Sequence, residues 1–218
     1  MKTILFQGDS ITDWYRLYDT ADIKYDDCLG MGYPTFVKGR LGLDNPGKYR
    51  FINRGIGGNR IVDLYARIQL DFISLKPDYI SILEGINDIW HGRDWNNGVD
   101  AEHYNKVYRM LIEDLKRYLP DTKIMLMEPF VLQGCNTTDT EKDPGRADYF
   151  KKNTAQYSEI VRRITDDYNL EFVPLQQKLN EAAVVMGDSQ IAGDGVHPTA
   201  IGHEIIAREW IKHFEKIK

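Results

Sequence analysis

Cysteine is scarce in this sequence. The two present among 218 residues, Cys28 and Cys135, fit neither a metal-ligand spacing nor a disulfide scaffold, so buried or half-buried thiols are expected. Long apolar runs are also missing. The opening stretch from Met1 to Asp9 holds one lysine and too short an apolar segment for a secretory leader, and no later run could cross a bilayer. The expectation is therefore a cytoplasmic chain beginning at Met1, with no membrane partner. Positive charge is not in excess: 28 Lys and Arg against 33 Asp and Glu give a net charge of -5. The two signs are interspersed, which argues against a nucleic-acid partner. Gly55-Ile56-Gly57-Gly58-Asn59-Arg60 lacks the closing glycine of a dinucleotide fingerprint, and no phosphate-binding lysine follows, so no cofactor site is supported. Asp9, Asp88, Asp194, His197 and His203 match no zinc spacing, and no metal is expected. His203 reads as a packed or hydrogen-bonded histidine, and His91 and His103 as rim residues at most.

What is present suits one large domain spanning residues 1–218, with 42% hydrophobic residues available for a core. Short runs rich in Ile, Leu, Val, Met, Phe and Tyr predict strands over 3–7, 49–53, 79–83, 123–127 and 171–173. Helical spacing predicts helices over 33–41, 60–72, 101–118, 149–168, 175–185 and 199–217. In the third of these, Val107, Met110, Leu111, Leu115 and Tyr118 mark the apolar face. Alternation of strand and helix implies right-handed crossovers and a sheet covered on both faces. The expected fold is a three-layer α/β/α sandwich with five parallel strands.

In such sheets ligands bind beyond the carboxyl ends of the strands, near the point where strand order reverses. Gly8-Asp9-Ser10 follows the first predicted strand, Gly55 to Asn59 the second, and Gly85-Ile86-Asn87-Asp88 the third, while Asp194-Gly195-Val196-His197-Pro198 stands in a late loop. A serine hydroxyl becomes a competent nucleophile when a histidine takes its proton and a carboxylate fixes that histidine's tautomer. Ser10, His197 and Asp194 supply those groups. The backbone amides of Ser10 and Gly58 and the side-chain amide of Asn87 are candidate donors to an oxyanion. Each piece alone has a plainer reading: Ser10 as a helix cap, Asp194 as a loop turn, the glycines at 55, 57 and 58 as a turn needing positive φ, and Asp9 as a brace for the serine turn. Their occurrence together, at opposite ends of the chain, favours the catalytic reading.

These segments resemble the four sequence blocks of the SGNH hydrolases, also called GDSL esterases and lipases: Gly8-Asp9-Ser10-Ile11-Thr12, the glycine of Gly57-Gly58-Asn59, Gly85-Ile86-Asn87-Asp88, and Asp194 to Pro198. All four occur in order and span nearly the whole chain. The resemblance implies a flavodoxin-like sheet, Ser10 as nucleophile, His197 as base, Asp194 as its partner, and Gly58 and Asn87 completing the oxyanion hole with Ser10. Within the family, Gly8 to Asp13, Lys76-Pro77-Asp78-Tyr79, Gly85 to Trp90 and Val196-His197-Pro198 are similar to the intracellular acetylxylan esterases acting on short xylooligosaccharides.

Trp14, Trp90 and Trp95, with Tyr15, fall near the expected site, where flat aromatic faces suit sugar rings or form small satellite cores. Asp9 joins the three tryptophans as a candidate substrate-binding residue. The polar insert 133–146 is a candidate pocket rim or homo-oligomer contact. No long apolar lid is visible. The expected function is a cofactor-independent serine esterase that removes acetyl or another short acyl group from a carbohydrate. A general short-chain esterase, lysophospholipase or thioesterase is the alternative, and a noncatalytic carbohydrate-binding relative the third reading.

Overall fold

The computed structural model describes residues 1–18 and 28–218. Its centre is a five-stranded parallel sheet made of β1 (Lys2–Gly8), β2 (Tyr49–Asn53), β3 (Tyr79–Leu83), β4 (Lys123–Met127) and β5 (Glu171–Val173), in the order β2-β1-β3-β4-β5. The inner strands are apolar on both faces: Ile4, Leu5 and Phe6 are fully buried, as is all of β3. That is the pattern a parallel sheet needs when helices cover both sides. One helical layer holds α2 (Tyr33–Asp44) and α10 (Ala200–Phe214), which pack together and bring Tyr33 and Trp210 against Phe6. The other holds α3 (Ile61–Ala66), α6 (Ala101–Tyr118) and α7 (Arg146–Asp167). The short helices α1 (Ser10–Asp13), α4 (Ile68–Asp71) and α9 (Asp188–Ile191), with α5 (Ile86–Trp95) and α8 (Gln176–Met186), complete the set among the described residues. The expected sandwich and sheet are observed.

Several local expectations are corrected. The helix predicted over 60–72 breaks at Arg67, between α3 and α4. The Arg67 guanidinium reaches inward instead, donating to Asn59 Oδ1 at 2.8 Å, Gln7 Oε1 at 2.9 Å, the Arg54 carbonyl at 2.9 Å and Asp71 Oδ2 at 3.0 Å. Multiple charge-assisted bonds of this kind outweigh one turn of helix propensity. The buried face of α6 is formed by Tyr104, Tyr108, Leu111, Ile112 and Leu115, while Met110 and Tyr118 face solvent. The tyrosines orient the helix, Tyr104 Oη donating to the Glu84 carbonyl at 2.8 Å. Residues 86–95, where no helix is predicted, form α5. Cys28 is half-buried, but Cys135 is exposed.

The chain leaves β1 for β2 on one side and returns to β3 on the other, so β1 and β3 form the switch point where helices depart to opposite faces and leave a crevice. The residues after β1, β2 and β3 converge there.

Candidate active site

Gly8 ends β1 at φ +150°, where a Cβ would collide with the Leu83 carbonyl and Thr12 Oγ1, so only glycine lets the chain turn sharply beside β3. Asp9 follows as the N-cap of α1, its Oδ1 accepting from Ile11 N at 2.8 Å. Capping thus falls to Asp9, and Ser10 becomes the first helical residue with its hydroxyl free for other work. Ser10 Oγ lies 2.8 Å from His197 Nε2, and His197 Nδ1 lies 2.6 Å from Asp194 Oδ2. Asp194 is itself fixed, its Oδ1 accepting from the amides of Val196 at 2.9 Å and His197 at 2.7 Å. The sequence candidates Ser10, Asp194 and His197 therefore form one continuous chain of hydrogen bonds across a separation of 187 residues.

Electrostatics favour the working protonation states. Partial burial alone would raise the Asp194 pKa, but the His197 hydrogen bond and the two loop amides bring it down to about 2. Burial tends to lower the His197 pKa; the Asp194 hydrogen bond and charge, with Asp9 behind it, outweigh that and raise it. A neutral imidazole held this way keeps Nδ1 protonated toward Asp194 and leaves Nε2 to accept the serine proton.

Three candidate donors belong to the segments that follow β1, β2 and β3. Ser10 N opens α1 with no acceptor among the described residues, and Gly58 N is likewise without one. Gly58 sits at φ +80° with open space beside its Cα, so the turn requires glycine and leaves its amide uncovered. Gly55 and Gly57 do not share that positive φ. Gly57 N donates to Asp13 Oδ2 at 3.0 Å, and a Cβ at this position would stand 3.8 Å from the Ser10 Cβ. Asn87 Nδ2 gives one hydrogen to the Asn59 carbonyl at 3.0 Å and keeps the other. Asp88 joins the same two segments from beneath, accepting from Ile61 N at 3.1 Å. Together the two links join α5 to the segment that carries Gly58.

Under this site lie three buried carboxyl groups, Asp9, Glu84 and Asp88. Burial pushes the Asp9 pKa up to about 7, opposed by the Ile11 amide and the charge of His197. Glu84 and Asp88 are raised by burial first and then by neighbouring acids. Asp9, a candidate for substrate binding, is only 1% exposed and caps the serine turn through Ile11 N. His203 is fully buried, accepts from Tyr33 N through Nδ1 at 3.2 Å, and packs on Trp14 at 4.9 Å. Burial, with His197 adding to it, pushes its pKa down to about 3, so it stays neutral. His91 touches Trp95 at 4.6 Å on the rim, while His103 pairs with Asp100 at the start of α6.

Aromatic rings flank the His197 imidazole. Trp14 lies 5.7 Å from the His197 ring and Trp90 6.0 Å, with Tyr15 against Trp14 and Trp95 stacked on Trp90 at 6.5 Å. Trp90 and Trp95 belong to α5, while Trp14 and Tyr15 occupy left-handed backbone conformations just after α1. Tyr15 and Trp95 are exposed, at 75% and 61%. The insert 133–146, a candidate rim, reaches the catalytic candidates through contacts that the sequence does not specify. Asn136 Nδ2 donates to Asp194 Oδ2 at 3.3 Å, and Arg146 binds Asp94, Asp143 and the Asn136 carbonyl, tying the insert to α5. No cluster of three or more metal-ligating side chains occurs among the described residues.

A profile of the GDSL-like Lipase/Acylhydrolase family matches residues 6–205. An acetylxylan esterase of Geobacillus stearothermophilus is 35% identical over 216 residues, covering 97% of this chain and 93% of that one. A crystal structure of an acetylxylan esterase from the same organism superposes with a TM-score of 0.83 at 34% identity, covering 97% of this chain and 93% of that one. The structure of a protein described as a GDSL-like lipase from Parabacteroides merdae superposes with a TM-score of 0.90 at 30% identity, over 98% and 95% of the two chains.

Proposed function

This chain belongs to the GDSL-like lipase/acylhydrolase family and is a carboxylic ester hydrolase, and we propose from that premise that it deacetylates short, acetylated xylooligosaccharides through Ser10, His197 and Asp194. The observation that carries the assignment of roles is the unbroken relay from Ser10 Oγ through His197 to Asp194. His197 Nε2 takes the Ser10 proton as Oγ attacks the acetyl carbonyl. The oxyanion that forms is met by the amides of Ser10 and Gly58 and the spare hydrogen of Asn87. His197 then gives its proton to the departing sugar hydroxyl, leaving an acetylated Ser10. Water enters, loses a proton to His197, attacks the acetyl carbonyl, and acetate leaves as Ser10 recovers its proton.

The sugar assignment is supported by the aromatic faces on both sides of His197 and by the acetylxylan esterase among the relatives. Planar rings with exposed edges match the apolar face and hydroxyl rim of a pyranose. The test is acetate release from acetylated xylooligosaccharides beside p-nitrophenyl esters of increasing acyl length, with Ser10→Ala as control. Fast release that depends on Ser10, together with activity that collapses beyond the shortest acyl groups, is expected. Preference for long-chain or thioester substrates would remove the carbohydrate assignment while keeping the chemistry. Hydrolysis by a folded Ser10→Ala protein would remove Ser10.

A further inference from the structure

Arg146 ends the insert 133–146 and opens α7, and its side chain is only 11% exposed. Ion pairs at a protein surface are mostly loose and contribute little. The geometry here is closer. Arg146 Nη1 reaches Asp94 Oδ1 at 2.6 Å while Nη2 reaches Oδ2 at 2.9 Å, the paired contact by which a guanidinium fixes the plane of a carboxylate. Nη1 also meets Asp143 Oδ2 at 2.8 Å, and Nε donates to the Asn136 carbonyl at 2.6 Å. Arg93 bonds to the same Asp143, so two cations and two carboxylates form one neutral network.

Asp94 passes this order on. Its Oδ2 accepts from Trp90 Nε1 at 2.6 Å, one turn earlier on α5, so the carboxylate that Arg146 orients also sets the rotation of the indole. Phe150 meets the Trp90 ring edge-on at 6.3 Å, and the guanidinium lies 5.0 Å from the Phe150 ring. The Trp90 ring is in turn 6.0 Å from His197. On the insert side, Asn136 N donates to the Asp194 carbonyl at 3.0 Å and Asn136 Nδ2 to Asp194 Oδ2 at 3.3 Å, while Asp194 holds His197. The contacts thus close a ring from His197 through Trp90, Asp94, Arg146, Asn136 and Asp194 back to His197. Arg146 joins the half supplied by α5 to the half supplied by the insert and the catalytic loop.

We propose that Arg146 is a positioning residue: through Asp94 it holds the Trp90 indole in one place beside His197, so that this aromatic wall stands ready before substrate arrives. The roles of His197 as base and Trp90 as a wall of the sugar site are those of the proposed function, on which this inference rests. A ring left free to rotate would have to be ordered by each incoming substrate, which weakens binding rather than slowing chemistry. Loss of Arg146 therefore acts on KM.

The test is Arg146→Lys, which keeps the charge but cannot span both Asp94 oxygens and the Asn136 carbonyl. Asp94→Asn repeats it from the other partner should Arg146→Lys not fold. In spectra of 15N-labelled protein the Trp90 indole N–H is the peak missing from Trp90→Phe. Each variant should move that peak and leave in place the peak of Trp210, which is buried against Phe6 and reports an intact core. KM for acetylated xylooligosaccharides should rise about two- to tenfold in Arg146→Lys, with kcat changed by less than about twofold. In a Trp90→Phe background, where Asp94 has no indole N–H to hold, Arg146→Lys should raise KM no further. An ion pair that serves stability alone would lower the melting temperature, leave the Trp90 peak in place and change KM equally with or without the indole. The proposal is overturned by an unmoved Trp90 peak, by an unchanged KM, or by KM effects that add in the double variant. Failure of the native protein to release acetate from xylooligosaccharides would remove the sugar assignment instead. The Trp90 peak, with the double variant measured on p-nitrophenyl acetate, would then still decide the role of Arg146.

Discussion

The floor under Ser10 and the loop that carries His197 are both acidic, yet they treat their carboxyl groups in opposite ways. Asp9 in the floor receives one amide hydrogen bond, has an unpartnered second oxygen, and is pushed up to about 7 by burial. Asp194 in the loop receives two backbone amides, the Asn136 amide and the imidazole, and is held at about 2. Both act on the charge of His197. The contrast follows from burial, which is complete at Asp9 and partial at Asp194, and from the imidazole and amide hydrogen bonds that only Asp194 receives in full. The floor gains a protonated platform on which the serine turn can be packed tightly, and the loop gains a fixed anion that orients the base.

The comparison breaks most severely at Asp194. Asp194→Asn should lower kcat by a factor on the order of 10^4, because the imidazole loses its tautomer and its counter-charge together. As the proposed base, His197 must be neutral to act, so kcat/KM should rise with pH through a pKa above the usual value of about 6.5. In the variant that acid limb should move down; an unmoved limb would mean that the loop carboxylate does not set the base. Asn87→Ala addresses the floor without touching the loop. Its kcat should fall about a hundredfold or more while the acid limb stays in place, and an unchanged kcat would leave Asn87 a structural residue.

Asp9→Asn sharpens the contrast through stability. Because folded Asp9 keeps its proton up to about pH 7 and an unfolded aspartate loses it near pH 4, its contribution is full below pH ~4 and lost as pH rises through 7. Asp194 runs the other way, contributing above pH ~4 and losing its effect as pH falls toward 2. Urea unfolding from pH 4 to 7 should therefore show a decline in stability that is shallower in Asp9→Asn, by at most about 1.4 kcal/mol per pH unit. Equal slopes would mean that Asp9 is ionised in the fold. The smallest effect is expected outside both regions: Trp95→Ala should raise KM for xylooligosaccharides about two- to tenfold with little change in kcat, as loss of one stacked ring implies. An unchanged KM would leave the outer ring without a part in binding.

Much of this architecture was legible in the sequence, because buried parallel strands are short apolar runs with clear ends. Four of the five predicted strands have the observed limits, and β1 extends by one residue at each end. The relay was legible because its residues sit in compact motifs beside strand ends. The α5 helix was not, since Gly85, Asn87, Asp88 and Gly92 depress helix propensity; its buried spacing of Ile86 and Ile89, with Trp90 beside them, was the available signal. The inward contacts of Arg67 and the bond from Asn136 to Asp194 were not legible, because they depend on acceptors far along the chain. Met110 and Tyr118 misled the α6 assignment because hydrophobicity alone does not show that Tyr104 and Tyr108 face inward.

Ser10, the proposed nucleophile, follows the first strand, and His197, its proposed base, precedes the last helix. During synthesis the chain therefore carries Ser10 for most of its length without anything to activate it. Only when residues 194–197 have left the ribosome and α10 has docked its Trp210 against Phe6 can the relay close. Such distant pairing is made late, after the loop-closure entropy has been met. Esterase activity in this protein is thus expected to report completed chains, since a nascent or truncated product that ends before His197 lacks the proposed base.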